Sequence, residues 1–171
     1  MRFKTEFVDR IIATDQHAIL YDLDGTIIDS SQRIKFKEDG SLDLEHWREN
    51  STKDNIFQDR LLPLYTQLQN DYRNGHIIII ITARELGKWD LEYIHSMGIY
   101  YDYIISRPIG ETMVDWKLKK KQSQWLWNLK PWQKIQKVFY DDNLNNLKAI
   151  KKNGYRTTVI DAGKWNNAFG Y

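Results

Sequence analysis

At 171 residues the chain has the length of one domain, and a hydrophobic fraction of 42% with seven Trp and ten Tyr can build a substantial core. Cysteine is absent, which excludes disulfides, thiolate metal sites and cysteine nucleophiles, and no window of about eighteen uncharged apolar residues offers a membrane-spanning helix. The net charge of +2 does not by itself announce nucleic-acid binding, and Met1-Arg2-Phe3-Lys4-Thr5-Glu6 lacks the apolar centre of an export leader, so a cytoplasmic protein is expected.

In chain order, Ala18-Ile19-Leu20-Tyr21 reads as a buried strand. Residues 29–58 are polar, carry a turn signal at Asp39-Gly40, and are expected to form a small insertion after the first strand, a lid or hairpin within a single domain spanning 1–171. Gln58 to Tyr72 places Leu61, Leu64, Tyr65, Leu68 and Tyr72 at helical spacing. After Asn74-Gly75 come five consecutive Ile, 77 to 81, too few for a helix and too β-branched for a loop: a central parallel strand covered on both faces. A helix is expected over Glu85–Met97, stopped by Gly98. Tyr103-Ile104-Ile105 is a strand candidate, and Val114, Leu118, Trp125, Leu126 and Leu129 mark a further helix. Lys137 to Tyr140 reads as a strand. Leu144, Leu147 and Ile150 mark a short helix closed by Asn153-Gly154, and Thr157 to Ile160 reads as a last strand. Strands alternating with helices call for an α/β fold, a three-layer α/β/α doubly wound and mostly parallel sheet that binds ligands at the carboxyl ends of its strands.

From Trp116 to Val138 there are seven Lys, four Trp and no acid. Two readings stand: an amphipathic helix with Trp inward and Lys solvated, or a basic, aromatic surface beside a polyanionic substrate. The four His show no metal-ligand spacing and read as structural or surface residues.

Chemistry-bearing residues collect at strand ends. Asp22 and Asp24 follow the first strand, Thr82 follows the Ile strand, and Asp141 and Asp142 follow Phe139-Tyr140. Crowded carboxylates repel unless a cation joins them, and a hard divalent ion such as Mg²⁺ satisfies oxygen ligands while leaving room for a substrate phosphate. A carboxylate beside such an ion can attack phosphorus.

The ordered set Asp22-Leu23-Asp24-Gly25-Thr26, Thr82, a downstream Lys and Asp141-Asp142 resembles the four motifs of the haloacid dehalogenase superfamily, from about Ala18 to Ala162. The resemblance implies a Mg²⁺-dependent phosphatase: Asp22 as nucleophile and metal ligand, Asp24 as acid/base and metal ligand through its carbonyl, Thr82 on the transferring phosphoryl group, and Asp141 with Asp142 completing the metal site. Gly25, Thr26 and Ala83, beside these motifs, join the expected substrate contacts. Lys117 or Lys119 is the phosphate-neutralising lysine. Lys119 is preferred because Asp115 four residues earlier is similar to the pattern of the 3′-phosphatase domain of bacteriophage polynucleotide kinases. Arg33, Arg84 and Arg107 extend that similarity and suit phosphate oxygens. The kinase half of those enzymes is missing, and Ser31 to Asn55 departs from their pattern. No Gly-rich phosphate-donor loop is present, so water is the expected acceptor.

The expected substrate is therefore a phosphorylated nucleotide or nucleic-acid 3′ end, in the host cytoplasm if phage-encoded. A nucleoside 5′-monophosphate phosphatase is the alternative, favoured if residues 29–58 close the pocket. A silent binding module is the reading of another class, opposed by the presence of both Asp22 and Asp24.

Overall fold

The computed structural model describes residues 17–153 and 156–171. The reading of the first six residues and the expected stop at Gly154 lie outside them. Five strands form one parallel sheet: β1 (Ala18–Tyr21), β4 (Ile77–Glu85), β5 (Tyr103–Arg107), β6 (Lys137–Asp141) and β7 (Thr157–Asp161), in the order β5-β4-β1-β6-β7. β2 (Ile28–Asp29) and β3 (Arg60–Leu61) pair antiparallel as a separate two-stranded ribbon.

Side chains alternate across a strand, so each strand feeds two cores. Ala18, Leu20, Ile77, Ile79 and Ile81 meet Leu126, Trp127, Trp132 and Leu147 on one face. Ile19, Tyr21, Ile78 and Ile80 meet Leu64, Leu68, Tyr93 and Ile94 on the other. Trp127 and Trp132 of the basic stretch are thus core residues, while its Lys117, Lys120 and Lys121 are exposed. That placement is the amphipathic reading, with Trp inward and Lys solvated.

Register positions the chemistry. Tyr21 aligns with Ile80 on one side and Tyr140 on the other, so Asp22 leaves β1 level with Ile81 and Asp141. Three strand ends open on the same crevice.

Two helices start later than the apolar spacing suggests. The one expected from Gln58 runs Leu64–Arg73, because Arg60-Leu61 are used by β3 and Pro63 stands at its N-cap. The one expected from Glu85 runs Lys88–Ser96, because β4 continues past the Ile run through Glu85. Between Ile81 and Glu85 the pairing of β4 with β5 shifts register, an irregularity that re-aims side chains.

Residues 29–58 fold into a 3₁₀ turn at Ser31–Arg33, a tight hairpin bridging Phe36 and Leu42, and two short helices, Leu44–Glu49 and Lys53–Ile56. Gly40 turns the hairpin at φ +80°, a conformation open to glycine. Asp43 and Thr52 cap the helices by accepting from the amides of His46 and Asn55.

Candidate active site

Asp22 at the end of β1 and Asp141 at the end of β6 are both buried, and Lys119 reaches them from the helix Asp115–Trp127. The Lys119 Nζ donates to Asp22 Oδ1 at 2.7 Å and to Asp141 Oδ2 at 2.6 Å. Only 1% of Lys119 is exposed, whereas Lys117 lies outside over the Trp116 ring. Oxygens of Asp22, Asp141 and Asp142 lie within 4.8 Å of one another. Burial drives the Asp22 carboxyl well above the ordinary carboxylate range; the Lys119 charge opposes this, and the charges of Asp141 and Asp142 add to it. Burial, then the Asp141 charge, raises Asp142 to about 6. Burial alone would lower Lys119, yet Asp141 and Asp22 outweigh it and hold its pKa above the usual lysine value.

One ammonium among three carboxylates leaves the cluster short of positive charge, the deficit a divalent cation removes. Two features shape room for it. Gly25 sits at φ +74°, and a Cβ there would collide with the Asp142 carboxylate. Asn146 donates its amide to both Asp141 oxygens at 3.2 and 3.1 Å, while its own carbonyl oxygen is buried without a partner among the described residues, placed to accept from a metal-bound water or substrate. The donor set is all oxygen, which fits Mg²⁺.

A second charge cluster orients Asp24. Arg84, from the extension of β4, grips Asp24 through Nε at 3.1 Å and through Nη2. Its Nη1 bonds Asp90 at 2.9 Å, and Nη2 also reaches Asp59 at 3.3 Å. Ser30 donates to Asp24 Oδ1 at 2.5 Å. Burial would raise the Asp24 carboxyl, but Arg84 outweighs it and holds it below the ordinary value.

The other expected residues are placed as follows. Ala83 and Arg84 line the same cavity as Asp22, Asp24, Lys119 and Asp142. Thr82 is fully buried next to it, its hydroxyl accepting from the Arg84 amide at 3.0 Å. Thr26 is buried too, its carbonyl accepting from Asn166 at 3.0 Å. Arg33 and Arg107 do not line the cavity. Arg33 forms a paired bond to Asp59 at 3.0 and 2.7 Å and stacks on Trp47; Arg107 bonds the carbonyls of Ala83, Glu111 and Met113 and the Asp115 carboxylate. Their guanidiniums brace the site from behind.

The cavity holds about 150 Å³. Its lining also includes Ile34, Phe36, Leu42 and Trp47, all from the insertion, which form an apolar wall. Sequence reading passed over Ile34 and Phe36 of this wall, as it did Asp59, Asp90 and Asn146. The indole Nε1 of Trp47 is buried without a partner among the described residues.

With this geometry in place, comparison with known proteins is informative. The family described as bacteriophage T5 5′-deoxynucleotidase matches residues 10–170. Over 85 residues the chain is 39% identical to the 5′-deoxynucleotidase of Escherichia phage T5, a stretch covering 47% of this chain and 35% of that protein. The match therefore spans about a third of the relative's length. A haloacid dehalogenase-like hydrolase from Streptococcus pneumoniae superposes with a TM-score of 0.58 at 15% identity, over 84% of this chain and 83% of that one. A chain of the Pnkp1/Rnl/Hen1 complex gives 0.58 at 19% identity, over 84% of this chain and 45% of that one. The fold is thus haloacid dehalogenase-like.

Proposed function

The chain belongs to the bacteriophage T5 5′-deoxynucleotidase family, and on that premise we propose that it is a phosphoric monoester hydrolase that removes phosphate from deoxynucleoside 5′-monophosphates. The observation that carries this is the cavity itself, lined both by a carboxylate–lysine cluster and by an apolar, aromatic wall. The first suits a phosphate, the second a nucleoside.

In this reading Asp22 attacks phosphorus and forms an acyl phosphate, and Lys119 neutralises charge on the transferring group. Asp24 lies two residues on and is fixed by Arg84. The dianionic substrate raises the Asp24 pKa by like-charge repulsion, so that it can protonate the leaving 5′ oxygen; afterwards, ionised, it takes the proton of the attacking water. Asp22, Asp141 and Asp142 would hold Mg²⁺, with the Asp24 carbonyl, and the ion would supply charge that lets a carboxylate approach a phosphate. Residues 29–58 act as a minimal cap on a single domain. The family's phage origin supports action in the host cytoplasm.

Removal of phosphate from nucleic-acid 3′ ends uses the same chemistry, but the family and the wall of Phe36, Leu42 and Trp47 favour a mononucleotide. Phosphate release from deoxynucleoside and ribonucleoside 5′-monophosphates, a 3′-phosphorylated oligonucleotide and a sugar phosphate tests the assignment. Deoxynucleoside 5′-monophosphates should turn over fastest. Faster turnover of the sugar phosphate would overturn the reading.

A further inference from the structure

Outside the cavity around Asp22, two helices present a second recess, of about 310 Å³. Trp116 and Lys120 line it from the helix Asp115–Trp127, and Asn145, Lys148 and Lys152 from the helix Leu144–Asn153. In each helix the residues stand four apart, on one face: Trp116 with Lys120, and Lys148 with Lys152. The three lysines are exposed, and none forms an ion pair with an acid among the described residues. Between Trp116 and Ile160 the chain carries eleven basic residues and two acids, and both acids, Asp141 and Asp142, belong to the active site. The rest of the chain balances this stretch to a net +2, so the excess positive charge is concentrated in this part of the sequence.

The recess is continuous with the nucleotide site. A third hollow, of about 460 Å³, shares Trp116 and Asn145 with it. That hollow shares Phe36, Leu42, Asp115 and Asn143 with the cavity around Asp22. A string of adjoining hollows therefore leads from the catalytic carboxylates to this recess.

Three unpaired ammoniums spread over more than one helical turn, about 6 Å for four residues, are more than one phosphate can occupy. They match a chain of phosphates. An aromatic ring among them adds a surface on which an unpaired base can stack, a combination found where proteins hold single strands without reading sequence. A duplex keeps its bases stacked inside and would leave Trp116 unused.

We propose that this groove binds single-stranded nucleic acid, its phosphodiester backbone along Lys120, Lys148 and Lys152 and a base against Trp116. The role goes beyond the phosphatase reading and does not rest on it, because binding is measured without turnover. A fluorescently labelled oligothymidylate titrated with the full chain, followed by anisotropy, is the test. Binding should weaken with salt with a log–log slope of about −2, the value for three lysines on a single strand. The triple variant Lys120→Glu, Lys148→Glu, Lys152→Glu should lose at least about tenfold in affinity, and Trp116→Ala roughly tenfold. The kcat on deoxynucleoside monophosphates should stay the same in both, with circular dichroism verifying the fold. Absence of binding at low salt, or wild-type affinity in either variant, would overturn the proposal. So would displacement of the strand by inorganic phosphate as readily as by unlabelled oligonucleotide, which would mark a simple anion site.

Discussion

The Nζ of Lys119 lies 2.7 Å from Asp22 and 2.6 Å from Asp141, tying together groups that are 97 and 22 residues away in the chain. All three side chains are buried, so the pairing replaces solvent for each of them. Removing the one cation of such a buried set leaves its carboxylates uncompensated, which costs far more than the pairing itself contributes.

Lys119→Met should therefore destabilise the metal-free protein by about 3–5 kcal/mol. Urea unfolding measures this. Mg²⁺ should recover part of the loss, because a divalent ion can replace the missing charge between Asp22 and Asp141. Equal losses with and without Mg²⁺ would show that the lysine and the ion do not share the cluster.

Asp22→Asn should abolish phosphate release, by at least about 10³-fold, while the fold persists. The amide removes one of the buried carboxylates that repel one another, so thermal stability without metal should be unchanged or higher. Residual activity near the wild-type level would end the assignment of Asp22 as nucleophile.

Gly25→Ala tests the cradle. The left-handed backbone at Gly25 costs a residue with a side chain about 1–2 kcal/mol, and the new methyl would push the Asp142 carboxylate aside. Stability should fall modestly, but Mg²⁺-dependent stabilisation and turnover should fall much further. Calorimetric Mg²⁺ titration separates the two effects.

The pH dependence follows from Asp142, which folding moves from the ordinary 3.8 to about 6. A carboxyl raised by folding holds its proton more tightly when folded. Its contribution is favourable at pH below 3.8, shrinks as pH rises, and is gone above about 6. Metal-free protein should thus lose stability across that window, whereas Mg²⁺ affinity should rise through it as the ligand ionises. Melting temperatures with and without Mg²⁺, on either side of pH 6, should diverge as pH increases.

Phe36 lines the cavity from the insertion and is 64% exposed, so it can be truncated with little effect on stability. Phe36→Ala should raise KM for deoxynucleoside monophosphates several-fold, about the loss of one base-stacking contact. Hydrolysis of a small aryl phosphate that does not reach the wall should be unaffected.

The sheet and the carboxylates of the site were legible in the sequence because both are short-range signals. Five Ile in a row announce a buried strand, and Asp22-Leu23-Asp24 after Tyr21 announces where it opens. Lys119 was distinguished from Lys117 through resemblance, and the structure places Lys119 inside and Lys117 outside. The arginines were another matter. Arg33 looks like a phosphate ligand in isolation, but its partner Asp59 is 26 residues away, and no local pattern announces that pairing. Helix starts were missed where a tertiary pairing overrode periodicity, as when β3 took Arg60-Leu61. Ile34 and Phe36 escaped notice because they meet Leu42 and Trp47 around one cavity only once the hairpin at Gly40 has turned.

The alignment of Tyr21 with Ile80 and Tyr140 carries a further consequence. Side chains alternate sides along a strand, so a slip of β1 by one position would turn Ile19 and Tyr21 to the opposite layer and shift Asp22 out of line with Asp141. Misfolded copies of this kind would be catalytically dead as well as poorly packed. Turnover per molecule therefore doubles as an assay of correct strand pairing, and a refolding experiment can count native sheets by the phosphate they release.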